Sequence, residues 1–144
     1  MMHDRMGVPG IPVNPLPLPL TGACPVGESS SLFEYSKILP GDPLLLEVFR
    51  LRYKVYVEEW GFERGEDHPG GMERDPYDDH SVHFVVRRKG ERRIIGTVRM
   101  ILNSEHGFPI EKHCTLDRDL SALDRDGFGE LSRLATSKQY SRRT

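Results

Sequence analysis

Cysteine is scarce. The chain has two, Cys24 and Cys114, far apart and outside any CxxC spacing, so neither a disulfide scaffold nor a zinc site is indicated. No apolar run approaches the ~20 residues of a membrane span, which excludes an integral membrane segment from the expectation. Positive charge is not in excess either. Lys+Arg 20 against Asp+Glu 22 gives a net charge of -2, so no global basic field draws nucleic acid. A Walker loop, a GxGxxG turn and a Ser/His/Asp nucleophile pattern are all missing. His80 and His83 form H-x-x-H, but three-residue spacing on a strand sends them to opposite faces, which suits chelation poorly. No metal is expected.

What is abundant comes first at the N-terminus. Residues 1–30 are rich in Pro, Gly and Ser. They superficially resemble a signal peptide, yet Pro12, Pro15, Pro17 and Pro19 break the apolar stretch and Asp4 sits in its charged end. The reading is an extended, disordered leader over 1–30, a folded portion over 31–144, and a cytoplasmic chain. A chain of 144 residues suits one domain with a real core. The basic clusters at 87–93 and at the end of the chain are local, read as solvated tips or as a docking patch for an acidic partner.

The organising stretch is 44–63. Leu45, Val48, Phe49, Val55 and Tyr56 recur at helical spacing and make one apolar face. Arg52 falls on that face. A guanidinium carried inward keeps its charge and needs an anion beside it; Glu73, Asp75, Asp78 and Asp79 follow within two dozen residues. Asp42 before Pro43 predicts the helix start and Gly61 its end. Residues 32–38 and 81–88 read as strands, 93–102 as the returning strand of a hairpin, and 129–136 as another strand. In the third of these, Ile94 is expected to share a side with Val98, Met100 and Leu102. Ile95, Thr97, Arg99 and Ile101 are expected on the other side. Gly96 there marks a bulge or a close backbone approach.

The long polar loop 61–80 exceeds ordinary connections, which marks it as functional or mobile. A short irregular or helical piece begins at FPIEK, a helical turn is expected within 116–127, and a helix begins near the end. Arg99 is either inward or an edge-strand arginine with its head in water. In E-x-S-R (Glu130, Ser132, Arg133), a regular strand would send Glu130 and Arg133 to opposite faces. A bulge would turn both toward one cavity.

These pieces resemble a known family. R-Y-K-V-Y-V-E-E-W-G-F (52–62), E-R-D-P-Y-D (73–78), G-T-V-R (96–99) and E-L-S-R (130–133) look like the acyl-homoserine-lactone (autoinducer) synthases and the related N-acyl amino acid synthases. The family's arginine and two aromatics fall on Arg52, Tyr56 and Phe62, and its E-x-D-x-x-D on Glu73, Asp75 and Asp78. Its strand arginine falls on Arg99, and its E-x-S-R on Glu130, Ser132 and Arg133. The wording LFEYSKILP, DDHSVHFVV and FPIEKHC is most similar to acyltransferases associated with the PEP-CTERM/exosortase system. Tryptophan usually stands where Phe62 is, and phenylalanine where Tyr56 is; an aromatic wall remains and the amine substrate stays open.

The resemblance implies a GNAT-like α/β fold, a twisted, mostly antiparallel sheet flanked by helices, here C-terminally truncated because such domains continue into a phosphate-holding loop and further strands. It implies transfer of a fatty acyl group from an acyl-carrier-protein (or acyl-CoA) thioester to a small amine, with no bound cofactor and with acyl carrier protein as partner. Glu130 would then be the base, backbone N–H groups near Ser132 to Leu134 would stabilise the oxyanion, and Arg52 and Arg99 would hold the acceptor's carboxylate. Asp75 and Asp78 would hold its ammonium and the arginines; the plainer alternative for Arg52 with Asp75 and Asp78 is a buried ion-pair network that only anchors the loop. Two other readings stand beside it: a non-catalytic half-domain that binds a carrier or another partner, and an acetyl-CoA-dependent GNAT acetyltransferase.

Overall fold

The computed structural model describes residues 32–115 and 124–141; the expected leader and most of the expected turn at 116–127 lie outside them. Four strands, β1 (Phe33–Ile38), β2 (Ser81–Arg88), β3 (Ile94–Leu102) and β4 (Gly129–Thr136), form one sheet in the order β1-β2-β3-β4. Each is antiparallel to its neighbour. The chain turns from β2 to β3 through Lys89 and Gly90, whose φ of 82° suits a residue without Cβ. Among the described residues, no helix is long and apolar enough to cross a membrane.

Helix α1 (Leu45–Tyr53) lies across β3 and β4. Its true start is Leu45, two residues later than Asp42-Pro43 suggests. Asp42 still acts at the entry, where its Oδ1 accepts from the Leu44 N–H at 2.9 Å. After Tyr53 the helix widens into a π-helical segment, Lys54–Glu59, in which Trp60 N reaches back to Val55 O at 3.1 Å. Gly61, at φ 64°, then turns the chain away, and the Phe62 and Glu63 amides both reach the Tyr56 carbonyl. The buried face of Leu45, Val48, Phe49, Leu51 and Val55 packs with Ile38, Val85, Ile94 and Ala135.

The sheet offers this helix an unexpected face. In β2 the buried positions are Ser81, His83 and Val85, while Val82, Phe84 and Val86 lie half-buried on the far side. The register Ser81↔Ile101, His83↔Arg99 and Val85↔Thr97 carries the mixed face onward to β3. One expectation is corrected. A register shift between Val86 and Arg87 leaves Ile95 as an extra residue, which reverses the first two side chains of β3. Ile94 therefore joins the core with Val85, and Ile95 lines a hollow on the opposite face with Phe33, Tyr35 and Val86. The suspected close approach at Gly96 is real: a Cβ there would sit 3.0 Å from Val86 Cγ1 and 3.1 Å from Thr136 Oγ1.

The loop between helix and β2 holds two 3-10 turns, Gly65–Asp67 and Pro76–His80. Asp75 opens the second with a reciprocal cap. Its Oδ1 accepts from Tyr77 N at 2.9 Å, and its own amide donates to Asp78 Oδ2 at 2.8 Å. A short helix α2 (Ile110–His113) follows β3, and α3 (Lys138–Ser141) follows β4.

Candidate active site

Arg52 leaves α1 on its apolar face and is fully buried, together with Glu73. Its Nε donates to Glu73, while Nη1 and Nη2 reach Asp78 Oδ1 and Oδ2 at 2.6 and 3.2 Å. The geometry is that of the buried ion-pair network weighed for Arg52 in the sequence. The side chain is closed to solvent and all three nitrogens are engaged, so it anchors the acidic loop to the helix. Burial alone would lower the Arg52 pKa, but Glu73 and Asp78 outweigh it and hold it above its ordinary value.

Arg99, also buried, comes from the facing strand. Its Nη1 donates to Asp75 Oδ1 at 2.6 Å and to Asp78 Oδ1 at 2.8 Å, and its Nε to Ser132 Oγ at 3.0 Å. Asp78 thus bridges two guanidinia. Burial would raise its pKa, yet Arg52 and Arg99 together push it below the usual carboxylate range.

The strand β4 carries the bulge that E-x-S-R made possible. Thr97 pairs with Ala135 and Arg99 with Ser132, so Arg133 and Leu134 oppose Val98 alone. Arg133 takes φ 51°, a left-handed conformation among non-glycine residues. The kink sends its side chain to the cluster, where Nε meets Glu73 Oε1 at 3.0 Å and Nη2 meets Glu63 Oε1 at 3.3 Å and Asp75 Oδ2 at 3.6 Å. Three guanidinia therefore face four carboxylates. Asp75, Arg133 and Glu63 are the members that reach solvent, with side chains 21, 29 and 33% exposed.

Aromatic rings wall the open side. Arg133 lies 5.5 Å from the centre of the Tyr56 ring, and the Tyr56 hydroxyl donates to Leu134 O at 2.8 Å. Burial raises the Tyr56 pKa against Arg133 and Arg52, so the phenol stays a donor. Phe62 tilts against Tyr56 and stacks on Trp60 with centroids 5.9 Å apart. Phe62 is 70% exposed, a wall rather than a core residue.

Glu130 shares the face of Ser132 but stands apart from the ion cluster. Its Oε2 accepts from Ile110 N at 3.0 Å, and it borders a cavity of about 280 Å³ lined by Phe108, Ile110, Phe128 and Leu131. Of the sequence-predicted residues, Arg52, Glu73, Asp75, Asp78, Arg99, Ser132, Arg133, Tyr56 and Phe62 come together; Glu130 is the outlier.

Two residues escaped sequence reasoning. Glu63 follows the aromatic wall, and nothing in its local pattern marks it as a partner for a residue 70 positions on. His83 is fully buried, 3.6 Å from Asp78 Oδ1, with neither ring nitrogen hydrogen-bonded. Burial, reinforced by Arg52 and Arg99 against Asp78, lowers its pKa to about 4. Its strand position opposite Arg99 was the available signal.

The family model described as Acetyltransferase (GNAT) domain matches residues 51–144, a span that holds every member of this cluster. Neither a curated protein nor a solved structure matches the chain.

Proposed function

Since the chain belongs to the GNAT acetyltransferase family, an N-acyltransferase family, we propose that it moves a fatty acyl group from an acyl-carrier-protein or acyl-CoA thioester to the amine of an amino acid or similar small zwitterion. One observation carries the choice of acceptor: the solvent-reaching members of the cluster are two carboxylates, Asp75 and Glu63, and one guanidinium, Arg133. A rim of both signs complements an ammonium and a carboxylate on the same small molecule. The buried members, Arg52, Glu73, Asp78 and Arg99, fix that rim in place, and pre-set geometry is what brings an amine within reach of a thioester.

Glu130, held by the Ile110 amide outside the ion cluster, takes a proton from the ammonium through a water. The freed amine attacks the thioester carbonyl, the C–N bond forms, and the oxyanion is met by backbone N–H groups of the β4 kink near Ser132 to Leu134. Collapse breaks the C–S bond, and the thiolate leaves with the proton shed by the new amide nitrogen. Tyr56 and Phe62 give the acceptor an aromatic wall.

A second reading has one observation in its favour, the description of the matching family as acetyltransferases: acetyl-CoA as donor. Incubating the full chain with long-chain acyl-carrier protein, long-chain acyl-CoA or acetyl-CoA, each with pooled amines, and reading products by mass spectrometry separates them. Long-chain acyl amino acids are the expected products. Acetylated products alone establish the second reading, and no product with any donor overturns both. In the productive assay Glu130→Gln should lower transfer ~10²-fold or more; unchanged turnover removes it from the role of base.

A further inference from the structure

On the side of α1 away from the ion cluster lies a trough of about 480 Å³, lined by Glu47, Arg50, Leu51, Lys54, Arg92, Arg93 and Ile94. Four of its seven residues are cations and one is an acid. Arg50 and Lys54, four positions apart on the helix, form one wall. Arg92 and Arg93, from the connection between β2 and β3, form the other, over a floor of Leu51 and Ile94. Lys54 has a loose partner, Glu59 at 3.7 Å. Arg50, Arg92 and Arg93 are exposed and have no carboxylate partner among the described residues.

The Lys54 end of the trough approaches the turn that leaves β4. Glu59, beside Lys54, accepts from Ser137 Oγ at 2.6 Å and from the Lys138 amide at 2.8 Å, so the basic wall meets the turn that leaves β4. We propose that this trough docks an acidic protein surface, that of the carrier protein delivering the thioester. The inference rests on the carrier-protein form of the function proposed above. Exposed arginines on two walls above an apolar floor match a row of carboxylates along a helix, because arginine is enriched at interfaces and charge complementarity steers encounter. A free phosphate needs one converging point instead.

Calorimetric titration of the full chain with a holo-acyl carrier protein tests this without requiring turnover. Binding is expected at ~0.1 M salt and lost toward 1 M, where screening shortens from about 10 Å to 3 Å. The double variant R92E/R93E, and separately R50E on the opposite wall, should each weaken binding by ~10-fold or more. Lys37→Glu, exposed on β1, should not, and a melting curve checks that each variant is folded. No binding by the unaltered chain at low salt, or binding by both trough variants equal to it, overturns the inference. So does a chain that binds free CoA through the trough and ignores the carrier. Acyl transfer from the carrier with affinity unchanged in R92E/R93E sinks the docking site and leaves the reaction standing. Carrier binding through the trough without transfer from any donor does the reverse.

Discussion

Single residues carry the site's energetics. Asp78 is the shared anion of two buried guanidinia, Arg52 and Arg99. Asp78→Asn removes the charge while keeping the shape, and leaving buried cations uncompensated costs about 3–5 kcal/mol. Denaturant titration should show that loss, well above the ~1 kcal/mol of an exposed pair such as Arg88 with Glu91. His83 sets an acid limit. Its folded pKa is about 4 against the ordinary 6.5, so between those values the unfolded chain binds a proton that the folded chain refuses. Stability from this source is complete above pH 6.5 and declines as pH falls toward 4, on the order of 3 kcal/mol in full. Melting temperatures across that window should fall with acid in the parent chain. His83→Gln should flatten that part of the slope, while the Asp78 contribution fails at lower pH still.

Elements decide what the residues can reach. The kink in β4 places Arg133 at φ 51°, where a side chain with Cβ is strained by roughly 1–2 kcal/mol. Arg133→Gly should therefore be more stable than Arg133→Ala by about 1 kcal/mol in denaturant, while both lose the contacts to Glu63 and Glu73 and both lower acyl transfer. Here the legibility of the sequence has a physical boundary. The strands, the helix and the inward Arg52 were readable because apolar periodicity is local. So was the option of a kink in E-x-S-R, though alternation alone could not choose it. The swap of Ile94 and Ile95 was not readable, since it depends on a register shift against β2 that only pairing creates. Nor was the full closure of Arg52 from solvent, which depends on two carboxylates closing over it from a loop more than twenty residues away.

At the scale of the whole molecule, the 61–80 loop behaves as two pieces. Glu73 N is bonded to Phe49 O at 3.1 Å, and the Asp75, Tyr77 and Asp78 amides are all engaged within the cap. Residues 66, 67, 69 and 70 are exposed. Hydrogen exchange should follow this division: the amides of 73, 75, 77 and 78 exchange near the rate of the core strands, that of Gly70 much faster. Uniformly fast exchange across 61–80 would mean that the ion cluster does not clamp the loop. The chain-wide charge is close to balanced, so such behaviour is set by where charges are buried rather than by their sum.

The wide helical turn at Lys54–Glu59 and the extra residue in β4 face each other, joined where the Tyr56 hydroxyl meets the Leu134 carbonyl. Each holds one residue more than regular geometry would. Deleting a residue from the helical turn would rotate everything beyond it by about 100°, swinging Tyr56 off its acceptor and Glu59 off Ser137. Straightening β4 alone would withdraw the acceptor instead. Attempts to idealise either one should cost the chain its function before its fold.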